Sequence, residues 1–75
     1  MNLYDEIFLV NIRINIKFNR IKKHITQEQL AELSNLSYYY INEIESLTKN
    51  KTFSILALLS ISRALDLDII ELLKI

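Results

Sequence analysis

The chain contains no glycine, no proline and no cysteine in 75 residues, and only one histidine. Without cysteine there is no disulfide, and no metal-ligand cluster replaces one, so a hydrophobic core alone must hold this short chain together. Without glycine and proline the usual marks of turns and helix ends are missing, and element boundaries have to be read from caps. The lone His24, with no phosphate loop and no nucleophile elbow, gives nothing for an enzyme to work with; His24 reads as a helix C-terminal cap or surface residue. Charge of one sign is lacking too: nine Lys and Arg balance nine Asp and Glu, so the molecule as a whole exerts no basic pull on nucleic acid. No apolar run approaches the roughly 18 residues of a membrane span. The start, Met-Asn-Leu-Tyr-Asp-Glu, lacks the cations of a secretory leader, so a cytoplasmic protein is expected.

What is present is a 51% apolar composition rich in Ile and Leu. That is ample for one small domain spanning 1–75, with 1–10 as an N-terminal extension, and more than one monomer readily covers, which points to an oligomer. The charges are also unevenly spread. Residues 1–24 carry five Lys or Arg against two acids, residues 25–47 carry four acids and no Lys or Arg, and Lys49 and Lys51 follow. Cations flank the middle of the chain.

Helix entrances repeat one grammar. Thr26 with Gln29 fits a capping box, and Ile25 with Leu30 a hydrophobic staple around it. Leu36-Ser37 with Ile41, and Leu67-Asp68 with Leu72, repeat the offset, Glu71 standing at the third helical position. Periodicity predicts helices over 26–34 (Leu30, Ala31, Leu33 inward) and 37–45 (Ile41, Ile44 inward). A further helix from Thr52 or Ser54 is lined by Ile55, Leu58, Leu59, Ser62 and Leu65, and a short last helix rests on Ile69, Leu72 and Leu73. The beginning supports two readings. Val10, Ile12, Ile14, Ile16 and Phe18 alternate as in a strand, which would need a partner chain to pair with. Ile14, Phe18, Ile21 and Ile25 fit a helical stripe; a helix ending near Lys23, extended backward by Leu3, Ile7 and Val10, is the expectation.

Residues 26–45, TQEQLAELSNLSYYYINEIE, thus read as two short helices around a three-residue turn, a helix-turn-helix. Three groups of residues then resemble the Cro/C1-type (XRE-like) helix-turn-helix family of phage repressors and small bacterial regulators. They are Thr26-Gln27-Glu28-Gln29-Leu30-Ala31 with Leu36-Ser37, Ile41-Asn42-Glu43-Ile44-Glu45, and Ala64-Leu65-Asp66-Leu67-Asp68 with Glu71-Leu72-Leu73. The likeness runs from about Ile12 to Leu73. The small size, the leading extension and Tyr40-Ile41 are also similar to the controller proteins of restriction–modification systems, with phage Cro-like repressors fitting nearly as well. The resemblance implies an all-α, five-helix lambda-repressor-like domain with the helix-turn-helix at helices 2 and 3. It also implies a non-enzymatic regulator of transcription that binds operator DNA as a homodimer, without cofactor, metal or small-molecule ligand.

By the same resemblance, Ala31 is the small residue at the crossing of the two helices, and Asn35 takes the turn position usually held by glycine. Arg20 and Glu45 form a structural ion pair. Ser37, Tyr38, Tyr39, Asn42 and Glu43 face the major groove, Asn42 suited to an adenine edge and Glu43 to a cytosine amino group. Tyr40 partly faces neighbouring helices. Gln27 and the segment Thr48-Lys49-Asn50-Lys51 are placed to hold phosphates, and Ile69, Ile70, Leu73 and Ile75, with helix 52–65, form the dimer surface. The chain departs from the family where Ser46 and Leu47 replace the usual Arg or Asn followed by Gly, and where the recognition helix carries no Lys or Arg. Those departures, with the neutral charge, keep a rival reading in view: a protein-interaction module on the same fold, such as an antitoxin-like or anti-repressor subunit.

Overall fold

Five helices make up the ordered framework of the computed structural model, which describes residues 2–47 and 52–74. They are α1 (Leu3–Lys22), α2 (Gln27–Ser34), α3 (Tyr38–Glu45), α4 (Ile55–Ala64) and α5 (Ile69–Leu73). No strand occurs among the described residues, so the alternation at 10–18 belongs to a helix. The caps fall where the grammar places them. Thr26 and Gln29 form a complete capping box, Thr26 Oγ1 accepting from the Gln29 amide at 3.0 Å and Gln29 Oε1 from the Thr26 amide at 2.8 Å. Ser37, Ser54 and Asp68 cap α3, α4 and α5, each cap being worth about 1 kcal/mol.

Helix ends show what the missing glycine costs. His24, Asn35 and Asp66 all lie in the left-handed region, at φ 59°, 58° and 57°, where glycine usually sits after a helix. Each lets the chain double back: the Leu36 amide donates to the Ala31 carbonyl at 3.0 Å, and the Leu67 amide to that of Ser62 at 2.8 Å.

Ile12 and Ile16 of α1, Leu30 of α2, Ile41 and Ile44 of α3, Ile61 of α4 with Leu65 at its C-cap, and Leu72 of α5 are fully buried together. α1 packs on α5 and α3, while α2 packs on α3 and α4. Asn15 ties α1 to the end of α5, donating to the carbonyls of Leu72 at 3.0 Å and Lys74 at 2.6 Å. The staple residues Ile25, Leu36 and Leu67 cover the core edge.

Three expected faces need correction. In α1 the inward set is Ile12, Arg13 and Ile16, while Ile14, Phe18 and Ile21 are exposed. The helix is there, but α5 and α3 lie against its other side. In α2, Leu33 is 60% exposed and Ser34 is buried instead. The α2–α3 crossing selects the row Leu30, Ala31, Ser34, and the Ser34 hydroxyl satisfies itself on the Leu30 carbonyl at 2.7 Å. In α4, Ile55 is exposed and Ala57 and Ile61 join Leu58 and Ser62 inside.

Candidate nucleic-acid interface

α3 is held as a projecting helix by what happens at both of its ends. At its start, Ser37 Oγ accepts from the Tyr40 amide at 3.0 Å. Ile41 and Ile44 anchor one side in the core, and Tyr38 and Tyr39, 51% and 66% exposed, stand on the other with Asn42. Tyr40 turns inward, packing against the core, and its hydroxyl accepts from the Ser54 amide at 3.4 Å. Three consecutive phenols therefore divide two to one between solvent and fold.

At its end, α3 leads into an extended Ser46 and has no glycine to turn its last carbonyls inward. Arg13 of α1 meets them. One guanidinium nitrogen donates to the carbonyls of Glu43 at 2.9 Å, Ile44 at 3.0 Å and Ser46 at 3.3 Å. The guanidinium also lies 5.2 Å from the centre of the Phe53 ring, within cation–π range. Burial draws the Arg13 guanidinium below the ordinary arginine value, and the Glu43 carboxylate opposes that shift. Glu43 itself is only 8% exposed. The expectation that it faces the groove is thus corrected: it lies on the inner flank of α3, beside a buried arginine that gives its charge a counterpart.

Arg20 and Glu45 form the second anchor. Arg20 Nε donates to Glu45 Oε2 at 2.7 Å and Nη2 to Oε1 at 2.9 Å, a bidentate pair with the Glu45 side chain almost wholly buried. The pair continues outward. Gln27 Nε2 donates to Glu45 Oε1 at 3.1 Å, and Asn42 Nδ2 donates to Gln27 Oε1 at 3.2 Å. Four side chains from α1, α2 and α3 thereby connect the inside of the fold to Asn42 on the exposed face.

Of the residues expected to meet DNA, Gln27, Ser37, Tyr38, Tyr39 and Asn42 lie together along the start of α2 and the outer side of α3. Thr48, Lys49, Asn50 and Lys51 lie outside the described residues, as does Ile75 of the expected dimer surface. Ile69 and Leu73 pack partly against their own core, leaving Ile70, 59% exposed, as the open apolar group of α5. Arg13 was not foreseen. The signal for it was the departure already noted, Ser46-Leu47 where a glycine is usual, since a helix end lacking that turn needs a donor from elsewhere. Among the described residues there is no group of acids and histidines suited to a metal, and no helix long and apolar enough to cross a membrane.

Comparison with known proteins agrees with this geometry. No curated protein matches the chain. The chain is similar to the crystal structure of the restriction-modification controller protein C.AhdI from Aeromonas hydrophila, with a TM-score of 0.78 and 31% identity over 85% of this chain and 94% of that one. A helix-turn-helix family model matches residues 16–72. With a turn at Asn35 between α2 and α3, and a capped α3 projecting from five helices, the chain belongs to the Cro/C1-type helix-turn-helix family and is a DNA-binding regulator.

Proposed function

We propose that the chain acts in the cytoplasm as a sequence-specific transcriptional regulator of double-stranded DNA, binding a two-part operator as a homodimer with α3 in the major groove. The observation that carries this reading is the hydrogen-bonded chain from Arg20 through Glu45 and Gln27 to Asn42. It fixes the Asn42 amide and leaves one of its N–H groups and its Oδ1 for a base edge, the donor–acceptor pair that adenine requires. Tyr38 and Tyr39 flank it, their rings suited to thymine methyls and their hydroxyls to phosphate. Because α3 has no Lys or Arg, phosphate grip falls to Gln27 and to the segment Thr48-Lys49-Asn50-Lys51. Binding per monomer is then weak, and two copies on adjacent half-sites supply the rest. Ile55, Leu56 and Ile70, all exposed near α4 and α5, are the surface for that dimer. The similarity to a restriction-modification controller protein favours control of such a gene pair as the biological role, with a phage Cro-like repressor as the alternative. The protein itself performs no catalysis.

Selection of bound fragments from the source genome, followed by gel shift with wild type and Asn42→Ala, tests the reading. Enrichment of a repeated half-site that Asn42→Ala no longer prefers is expected. No retardation of any duplex at low salt, with protein at tens of micromolar where nonspecific binding is normally visible, would overturn it in favour of a protein-interaction module.

A further inference from the structure

α1 has two apolar faces. Ile12 and Ile16, with Phe8, look into the core. On a helix of 3.6 residues per turn, Leu3, Ile7, Val10, Ile14 and Ile21 share an arc of roughly 60° on the opposite side, with Phe18 at its edge. These six are 70%, 48%, 38%, 47%, 52% and 61% exposed in that order, where a surface helix normally turns polar residues to water. Positions 3, 7, 10, 14, 17 and 21 alternate by four and three, the spacing of a coiled-coil seam, and only Lys17 interrupts its apolar run. Leu47 lies alongside and forms with Ile14, Phe18 and Ile21 an open groove of about 240 Å³. At about 30 Å, α1 runs nearly the length of a body whose longest extent is 33 Å. The family match begins at Ile16, so Leu3, Ile7, Val10 and Ile14 lie ahead of the matched residues.

We propose that this stripe is a self-association surface on which α1 of a second copy lies antiparallel. Charge selects that occupant. Glu6 stands beside the stripe in the first turn of α1 and Lys17 within it toward the other end, the last-turn Arg20 being taken up by Glu45. A parallel pair would set like charges together, whereas an antiparallel one sets each Glu6 beside a Lys17. A two-fold axis beside residue 12 places Leu3 against the other copy's Ile21, Val10 against its Ile14, and Ile7 against its Lys17. The Lys17 stem then covers an isoleucine while its ammonium reaches the other copy's Glu6. Tyr4 meets the other copy's Phe18, and the groove beside Leu47 receives the other copy's Leu3 and Ile7. The stripe and Leu47 expose roughly 700 Å² per copy, the most that they alone can bury, and Tyr4 and the Lys17 stem add to this toward the about 800 Å² per partner of a standard interface. The surface is distinct from the α4 and α5 face and does not depend on the operator reading.

The absence of native cysteine makes the arrangement directly testable. Leu3→Cys and Ile21→Cys chains, each otherwise wild type, are oxidised separately and as a mixture. The mixture should give a disulfide-linked pair of one chain of each kind, with neither variant linking to itself. Self-linked pairs would mean parallel packing, and no link in any sample would mean that the stripes do not meet; either result overturns the proposal. Sedimentation of Ile14→Glu, its helix content checked by circular dichroism, should show association weakened about tenfold or more. Ile70→Glu should leave the Leu3–Ile21 link intact, and failure of DNA retardation alone would touch only the operator reading. An unchanged mass for Ile14→Glu, or a monomeric wild type that instead co-floats with anionic lipid vesicles, sinks the idea.

Discussion

The two ends of α3 are held in opposite ways. Its start is closed by Ser37, three residues from the amide it accepts. Its end is closed by Arg13, whose donor reaches carbonyls 30, 31 and 33 positions along the chain. A local cap forms as soon as the helix does, whereas the distant one exists only when α1 is docked. The direction in which the chain leaves α3 is therefore a property of the tertiary fold.

Removing each end separately should expose the difference. Arg13→Ala leaves three carbonyls and the Glu43 carboxylate without their guanidinium, and should destabilise by about 3–5 kcal/mol, read as a large fall in melting temperature. Arg13→Lys should recover only part of that loss, because an ammonium lacks the planar fork of donors that serves these carbonyls from beside the Phe53 ring. At the other end, Ser37→Ala should cost about 1 kcal/mol in denaturant titration. Equal losses at the two ends would erase the contrast. Relief of a strained turn is of similar size and opposite in sign: His24→Gly should raise stability by about 1 kcal/mol, and Asn35→Gly by less, since asparagine tolerates that conformation better. Smallest in stability is the outer face, where Tyr39→Ala and Asn42→Ala should stay within about 0.5 kcal/mol yet alter the preferred DNA sequence. Should Tyr39→Ala unfold the protein, the outward assignment of that ring fails.

The same contrast explains what could be read without coordinates. The entrances of α2, α3 and α5 were legible because a cap and its staple sit within five residues of one another, as Thr26, Gln29, Ile25 and Leu30 do; the Asn2 cap of α1 was not legible, and that of α4 could be placed only at Thr52 or Ser54. The helical nature of α1 was legible, but not its orientation, since Ile14-Phe18-Ile21 and Ile12-Ile16 are equally good apolar rows and only α5 and α3 decide between them. The order of charge along α3 was legible too; the burial of Glu43 was not, because it requires Arg13 from a helix that periodicity had turned the wrong way. Leu33 failed for a related reason: Ser34 is buried by bonding back to its own helix, which apolar counting cannot see.

Glu45 has one more effect, on the polarity of Asn42. A carboxylate only accepts, so Gln27 must point its nitrogen at Glu45 and its oxygen away. Asn42 must then turn its own nitrogen toward Gln27. The rotational sense of the amide proposed to meet a base is dictated two side chains upstream, by an anion buried against Arg20. An operator asking Asn42 for the reverse sense would have to break the chain back to Arg20, while a glutamine in place of Glu45 would let both senses coexist and blur the choice of base.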